Sequence, residues 1–301
     1  MSKIKTVAFI GLGVMGGPMA GHLARSDFEV RAYNRSPQRA DHWRKVWADE
    51  GLEISLHATP AQTAQNAQCV FTCVGKDEDV DEIVRGDGGV FEGIANDAIL
   101  VDHTTTSASL ARELAQDCEA RGLDWIDAPV SGGQAGAEDG QLAIMCGGSD
   151  AAIARARPIM DCYAKAITHV GPVGAGQTAK MANQMCIAGI LGGLSEAVRL
   201  AQGAGLDLEK TYEAISGGAA QSWQMDNRWA TMTKDEFDFG FAVDWMRKDL
   251  GYALNEAKRL GLASPITALV DQFYADVQSS GGNRYDTSAL ITRLAKSTTQ
   301  D

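Results

Sequence analysis

The run Thr6-Val7-Ala8-Phe9-Ile10, followed at once by Gly11-Leu12-Gly13-Val14-Met15-Gly16, constrains the fold more than any other stretch of this 301-residue sequence. A short, largely apolar, β-rich run predicts a strand, and the pattern after Gly16 predicts a helix through Ala24. Between them the glycines stand at G-x-G-x-x-G spacing. The first permits a tight turn, the second lets backbone approach a pyrophosphate, and the third lets helix pack on strand. The new helix then presents unpaired N–H groups to the phosphates. Such a turn predicts a βαβ unit with a dinucleotide site at Gly11, Leu12, Gly13, Val14, Met15 and Gly16.

A second strand over residues 29–33 ends at Asn34-Arg35-Ser36, where an NAD-type site carries a ribose-binding carboxylate. Asn34 does not repel a 2′-phosphate and Arg35 can pair with one, which points to NADP over NAD, with Ser36 as a further contact. Strand signals recur at 69–74, 99–101, 125–126 and 143–146, with helical patterns around 60–65, 79–84 and 107–121. This alternation predicts a Rossmann-type α/β domain with a mostly parallel, doubly wound sheet, ligands lying beyond the strands' carboxyl ends. Two loops there border the expected cofactor: Val74-Gly75-Lys76 and Asp102-His103-Thr104-Thr105-Thr106. No nucleophile motif accompanies His103, which reads as a hydrogen-bonding loop residue. After the strand at Trp125 comes Asp127-Ala128-Pro129-Val130-Ser131-Gly132-Gly133, a plain turn or a cluster of hydroxyl and bare N–H donors suited to a carboxylate.

Past Gly171 the strand signals stop and the pattern turns helical, predicting an all-α domain over 172–301 after a dinucleotide-binding domain over 1–171. A proline-free run from Gly176 to about Leu206 reads as the longest helix and the link between the two. Lys180, Asn183 and Gln184 stand at i, i+3 and i+4, so they share one face. Ile187, Ile190, Leu191, Leu194, Val198 and Leu200 predict burial, and Gly189, Gly192 and Gly193 predict close packing. Met246-Arg247-Lys248-Asp249-Leu250 reads as a solvated face near a helix start, and Trp223 reads as core.

A net charge of −12 argues against nucleic acid, whose phosphates call for clustered Lys and Arg. No uninterrupted apolar run reaches the roughly 18 residues of a membrane span. Residues 1–5 run into the first strand without a leader pattern, and the six cysteines form no C-x-x-C pair. Reduced, mostly buried thiols in a cytoplasmic protein are expected. The apolar spine predicts a homodimer or homotetramer.

Four blocks in order, G-L-G-V-M-G, D-A-P-V-S-G-G, G-x-G-x-x-A-K-M-A-N-Q and R-K-D-L, resemble the β-hydroxyacid dehydrogenase family. That family includes 3-hydroxyisobutyrate dehydrogenase and tartronate semialdehyde reductase, and the resemblance spans Val7 to about Leu294. It implies Lys180 as general acid/base with Asn183 beside it, and a substrate carboxylate on Ser131, Gly132 and Gly133. It also implies Gln184, Trp223 and Asp249 on the substrate side, and Val74, Gly75, Thr105 and Lys248 beside the cofactor. Gly75 stands where proline is frequent, His103-Thr104-Thr105 replaces a serine-rich version, and Gln184 replaces a second asparagine. The expected reaction interconverts a small 3-hydroxyacid and its semialdehyde. Alternatives are an imine reductase-like activity, which generally lacks the lysine, and a dinucleotide-binding partner protein without catalysis. The 6-phosphogluconate dehydrogenases carry His-Asn where this chain has Asn183-Gln184, and are larger.

Overall fold

The computed structural model describes residues 4–48, 52 and 54–295. The outermost ends of the two expected domains, and residues 1–3 of the leader reading, lie outside them. The chain divides into two compact units, Met1–Lys180 and Met181–Asp301.

The first unit opens with β1 (Thr6–Ile10), α1 (Gly16–Arg25), β2 (Glu29–Tyr33), α2 (Pro37–Ala48), β3 (Ile54–Leu56), α3 (Pro60–Ala64), β4 (Cys69–Thr72) and α4 (Asp77–Arg85). It continues through α5 (Val90–Gly93), β5 (Ile99–Asp102), α6 (Ala108–Glu119), β6 (Asp124–Asp127), β7 (Val130–Ser131), α7 (Gly133–Glu138), β8 (Leu142–Gly147), α8 (Asp150–Met160) and β9 (Ala164–Gly171). Helix starts follow from capping chemistry. The hydroxyls of Thr59, Ser107 and Ser149 accept N–H bonds from the first turns of α3, α6 and α8.

The strands lie in the order β3-β2-β1-β4-β5-β6-β8-β7, with β9 on β8. From β3 to β6 every pairing is parallel, as the βα alternation requires. Then β8 joins antiparallel to β6 and β7, and β9 runs parallel to β8. Alternate residues face opposite layers. Val7, Phe9, Phe71, Val101 and Ile126 enter one apolar core, and Ala8, Ile10, Val70, Leu100 and Trp125 the other. Phe9 and Phe71 stack with centroids 5.9 Å apart, each burial stabilising by about 1.5–3 kcal/mol. Three strands, β3, β7 and β9, and the helices α2, α5, α7 and α8, are additions to the sequence reading. Two of those strands are very short, β9 is largely exposed, and Pro158 interrupts the helical signal of α8.

His103 belongs to this core. It is 2% exposed, stacks on Phe71, and its Nδ1 lies 2.6 Å from the Ala128 carbonyl while Nε2 lies 2.9 Å from the Tyr163 hydroxyl. A carbonyl only accepts, so Nδ1 carries the proton and Nε2 accepts from Tyr163.

α9 (Ala175–Gly203) begins in the first unit and continues into the second, followed by α10 (Leu208–Ser216), α11 (Trp223–Lys234), α12 (Val243–Arg259), α13 (Pro265–Ser279) and a 3-10 turn (Thr287–Arg293). No extended strand follows β9 among the described residues, only an isolated bridge between Ala242 and Asp286. Leu191, Leu194 and Val198 of α9 pack with Trp229, Met246, Leu250 and Tyr274. The expectation of burial all round α9 is corrected: Ile190 is 38% and Leu200 74% exposed. Gly192 does admit a neighbour, Val270 Cγ2 lying 3.5 Å from where a Cβ would stand, but Gly193 has nothing within 4 Å. The helix ends short of Leu206 because Gly205 turns into the left-handed region at φ +67°. Cys69, Cys118 and Cys146 are buried, whereas Cys186 on α9 is exposed. Burial pushes the Cys118 and Cys146 thiols up to about 12.

Desolvation holds His103 down at about 4, against an ordinary 6.5. The unfolded chain therefore binds a proton that the folded one refuses, and His103 withdraws stability as pH falls from about 6.5 towards 4. Asp127, raised to about 7 by burial, acts in the opposite sense over that range, so the comparison with a variant isolates the histidine. His103→Phe is expected to be less stable at pH 7 by about 1–3 kcal/mol through its stranded partners, with the gap narrowing towards pH 4. Denaturant unfolding at several pH values checks this; a constant gap contradicts burial of the neutral ring.

Candidate active site

The turn after β1 is built around its glycines. Gly11 adopts φ +101°, and a Cβ there would collide with the Cys73 carbonyl; one on Gly16 would collide with the Gly11 carbonyl. Gly13 differs, since a Cβ on it would meet nothing within 4 Å. The first and third glycines thus serve packing within the protein, and the second borders open space. Leu12 is buried, whereas Val14 is 64% exposed and Met15 stands at the N-cap of α1. β1 and β4 lie side by side where the strand order reverses, so the turn and the Val74-Gly75 loop flank one crevice.

Asn34 braces the turn: its Oδ1 accepts from Leu12 N at 3.0 Å and its Nδ2 donates to the Ser36 carbonyl at 3.1 Å. Arg35 is 78% exposed at its side chain and reaches Asp79 on α4, Nη1 to Oδ1 2.9 Å. The loop after β4 is tied to the loop after β5, Val74 N donating to Thr104 Oγ1 at 3.0 Å, beside the half-buried Thr105.

Ser131 ends the two-residue β7, and Gly132 (φ +138°) and Gly133 (φ +63°) turn the chain into α7. Successive positive φ values favour glycine at both positions; a Cβ on Gly132 would meet Leu142 Cδ2 at 3.1 Å, whereas one on Gly133 would meet nothing within 4 Å. Asp127, at the head of this segment, is fully buried and accepts from Gly174 N at 2.7 Å and Gln177 N at 2.9 Å. Burial pushes its carboxyl up to about 7, the two N–H donors pull it back, and neighbouring Asp102 adds to the rise. One turn beyond Gln177 stands Lys180, 8% exposed. Asp127 and Gln177 escaped the sequence reading; Asp127 heads the D-A-P-V-S-G-G block, and Gln177 falls at an unspecified position of G-x-G-x-x-A-K-M-A-N-Q.

Within the second unit four of the expected residues form one chain of contacts. Asn183 Nδ2 donates to Gln184 Oε1 at 2.8 Å, and Gln184 Nε2 donates to Asp249 Oδ2 at 2.7 Å. Asp249 Oδ1 lies 3.3 Å from Lys248 Nζ. Gln184 and Asp249 are each 1% exposed. The Lys248 ammonium stands 5.7 Å from the Trp245 ring centroid and 5.5 Å from that of Tyr252, within cation–π range. In R-K-D-L, Arg247 and Lys248 are half-buried and Asp249 is buried, which corrects the solvated-face reading. Trp223 corrects the core reading: it is 56% exposed at the start of α11, with the Arg228 guanidinium 4.9 Å from its ring.

A doubly wound sheet whose first turn leaves open space at Gly13 defines a dinucleotide-binding fold. Residues 6–171 match the model of the NAD binding domain of 6-phosphogluconate dehydrogenase. Residues 174–294 match that of the NAD-binding domain of NADP-dependent 3-hydroxyisobutyrate dehydrogenase. A Shewanella frigidimarina protein described as an uncharacterized oxidoreductase is 52% identical over 97% of this chain and 98% of its own. The 2-hydroxy-3-oxopropionate reductase of Escherichia coli is 34% identical over 96% of each chain. The structure of 3-hydroxyisobutyrate dehydrogenase from Mycobacterium tuberculosis with L-serine superposes with a TM-score of 0.85 at 30% identity, over 96% of this chain and 98% of that one. The chain belongs to the β-hydroxyacid dehydrogenase family and is an NAD(P)-dependent hydroxyacid dehydrogenase. Among the described residues no helix is long and apolar enough to cross a membrane, and no cluster of three or more His, Cys, Asp or Glu could hold a metal.

The glycines make separable predictions. Gly13→Ala should keep the parental Tm while losing roughly tenfold or more in dinucleotide affinity, about 1.4 kcal/mol. Gly16→Ala should lose stability as well, because its Cβ meets backbone. Thermal unfolding and fluorescence titration with NADPH and NADH check both; unchanged affinity in Gly13→Ala would place the phosphates elsewhere.

Proposed function

We propose that this enzyme interconverts a small 3-hydroxyacid and its semialdehyde, of the 3-hydroxyisobutyrate or 2-hydroxy-3-oxopropionate kind, with Lys180 as general acid and base. The observation that carries the reading is a lysine only 8% exposed, one turn from the helix start and on the same face as Asn183 and Gln184. A lysine held this far from water, on a face shared with two amides, is placed to handle a proton at a bound substrate. The names of two relatives support the substrate class: 3-hydroxyisobutyrate and 2-hydroxy-3-oxopropionate both place a carboxylate two carbons from the reacting carbon.

The bound dinucleotide supplies or accepts the hydride. In reduction the Lys180 ammonium gives a proton to the carbonyl oxygen as that oxygen gains charge; in oxidation the amine takes the hydroxyl proton. Asn183 holds the lysine or the substrate oxygen in line. Ser131, Gly132 and Gly133 take the substrate carboxylate through a hydroxyl and two N–H groups, and Gln184, Asp249 and Trp223 line the substrate side. Lys248 and Thr105 stand beside the cofactor with Val74 and Gly75. In this reading residues 1–171 bind the dinucleotide and 172–301, opened by α9, carry substrate groups and subunit contacts in a cytoplasmic homodimer or homotetramer.

NADP is the proposed cofactor, through Arg35, Asn34 and Ser36. Arg35 already pairs with a carboxylate, so its guanidinium is placed for anionic oxygen. Arg35→Ala should weaken NADPH by roughly tenfold, the exposed position limiting the effect, and leave NADH within about twofold. Titration of both cofactors reads the difference; equal weakening or a parental preference for NADH refutes the assignment.

Lys180→Ala should fold, bind NADPH as the parent does, and lose about 10²- to 10⁴-fold in single-turnover NADPH oxidation. Lys180→Arg should do little better, since a guanidinium stays protonated. The assay uses a panel of short 3-hydroxyacids and their semialdehydes with both cofactors. Near-parental turnover in the alanine variant removes Lys180 from the mechanism, and an inert parent across the panel defeats the substrate class.

A further inference from the structure

We infer that Asp127 and Gln177 are positioning residues, which hold the first turn of α9 against β6 and the loop after β5 and so fix where Lys180 stands. The inference rests on the reading of Lys180 as the proton-handling group.

Asp127 is a cap supplied from outside the helix. Gly174 accepts the first i→i+4 bond, from Thr178 N at 3.0 Å, so Gly174 and Gln177 occupy the N-cap and N3 positions, whose N–H groups no helical carbonyl can reach. The two carboxylate oxygens take one each, Oδ1 from Gly174 and Oδ2 from Gln177. The helix comes close enough only because side chains are missing. A Cβ on Gly176 would stand 2.5 Å from the carbonyl oxygens of Asp127 and Met145, and one on Gly147 would stand 2.6 Å from Asp127 Oδ1.

Gln177 makes the second attachment with its side chain. Fully buried, it donates from Nε2 to the Thr104 carbonyl at 2.7 Å and accepts at Oε1 from Thr106 N at 3.0 Å. Its partners define the amide orientation, since a carbonyl only accepts and an N–H only donates. The loop so gripped contains Thr105. Asp127 also begins the segment that leads to Ser131, and that segment is itself tied down, Met145 N donating to the Pro129 carbonyl at 3.1 Å and Ser131 pairing with Ala143. One buried set of four hydrogen bonds thus joins the lysine helix to a cofactor-side loop and to the end of β6, from which the chain runs on to the proposed carboxylate loop. A purely structural cap would need no link to both loops. Lys180 lies three residues after Gln177, so any tilt of this turn carries the ammonium with it.

The test compares Asp127→Asn, Gln177→Met and Lys180→Ala in single-turnover NADPH oxidation with the panel compound that the parent reduces fastest. Asparagine keeps the shape of Asp127 but sets an NH₂ against one of the two N–H groups; methionine keeps the bulk of Gln177 without its bonds. Each is expected to lower kcat by about 10- to 100-fold, the size of an ångström-scale misplacement, with substrate KM and NADPH Kd within about threefold. A folded variant with parental kcat, whatever its Tm, overturns the inference, because a structural cap moves stability alone. A matching rise in KM with kcat intact overturns it too. Gln177→Met carries the test if Asp127→Asn does not fold. An active Lys180→Ala removes the reading beneath the inference; an inactive one beside a fully active Asp127→Asn removes the inference alone.

Discussion

A buried carboxylate facing two backbone N–H groups organises the first unit. Asp127 is 0% exposed, and removing such a group from water disfavours its charge. The N–H donors of Gly174 and Gln177, at the positive end of a 29-residue helix, offset part of that penalty. Its carboxyl at about 7 shows the balance, desolvation being the larger effect. Around this contact the antiparallel pairing of β6 with β8 sets Gly147 opposite Asp127, where no other side chain fits. The change from parallel to antiparallel strands and the start of the lysine helix are two consequences of one packing arrangement.

The rest of the first unit is a frame for phosphates and rings. Six strands in parallel register bring the β1 turn and the β4 and β5 loops to one edge, where short bonds tie the β1 turn to Asn34 after β2 and the β4 loop to the β5 loop. In the core beneath, His103 sits neutral between a carbonyl and a hydroxyl, stacked on Phe71. In the second unit the same economy of partners appears in the Asn183, Gln184, Asp249 and Lys248 contacts. A carboxylate 1% exposed is tolerable there because an amide and an ammonium face it.

Strand and helix periodicity made most of the fold legible in the sequence, because β1, β4 and β5 are largely apolar runs, β2 alternates, and α3, α6, α10 and α11 start at Ser, Thr or Asp caps. The elements that escaped have weak local signals. β7 is two residues long, β9 alternates poorly at the sheet's exposed end, and α8 contains a proline. Reading R-K-D-L as a solvated face failed because charge alone does not reveal a buried partner.

By itself the sequence determined the dinucleotide turn, the succession of an α/β half and an all-helical half, and the lysine face of α9. Each depends on residues within a turn or two of one another, whose spacing backbone geometry reads directly. Only the tertiary structure decided that Asp127 caps α9 from 50 residues away, that Gln177 grips Thr104 across 73, and that Arg35 meets Asp79 across 44. It also decided that His103 is core while Trp223 and Cys186 are exposed. Those outcomes depend on which strand lies beside which and on how close glycines let a helix approach. Neither is written in local spacing, since a side chain's partner is set by the packing of distant elements.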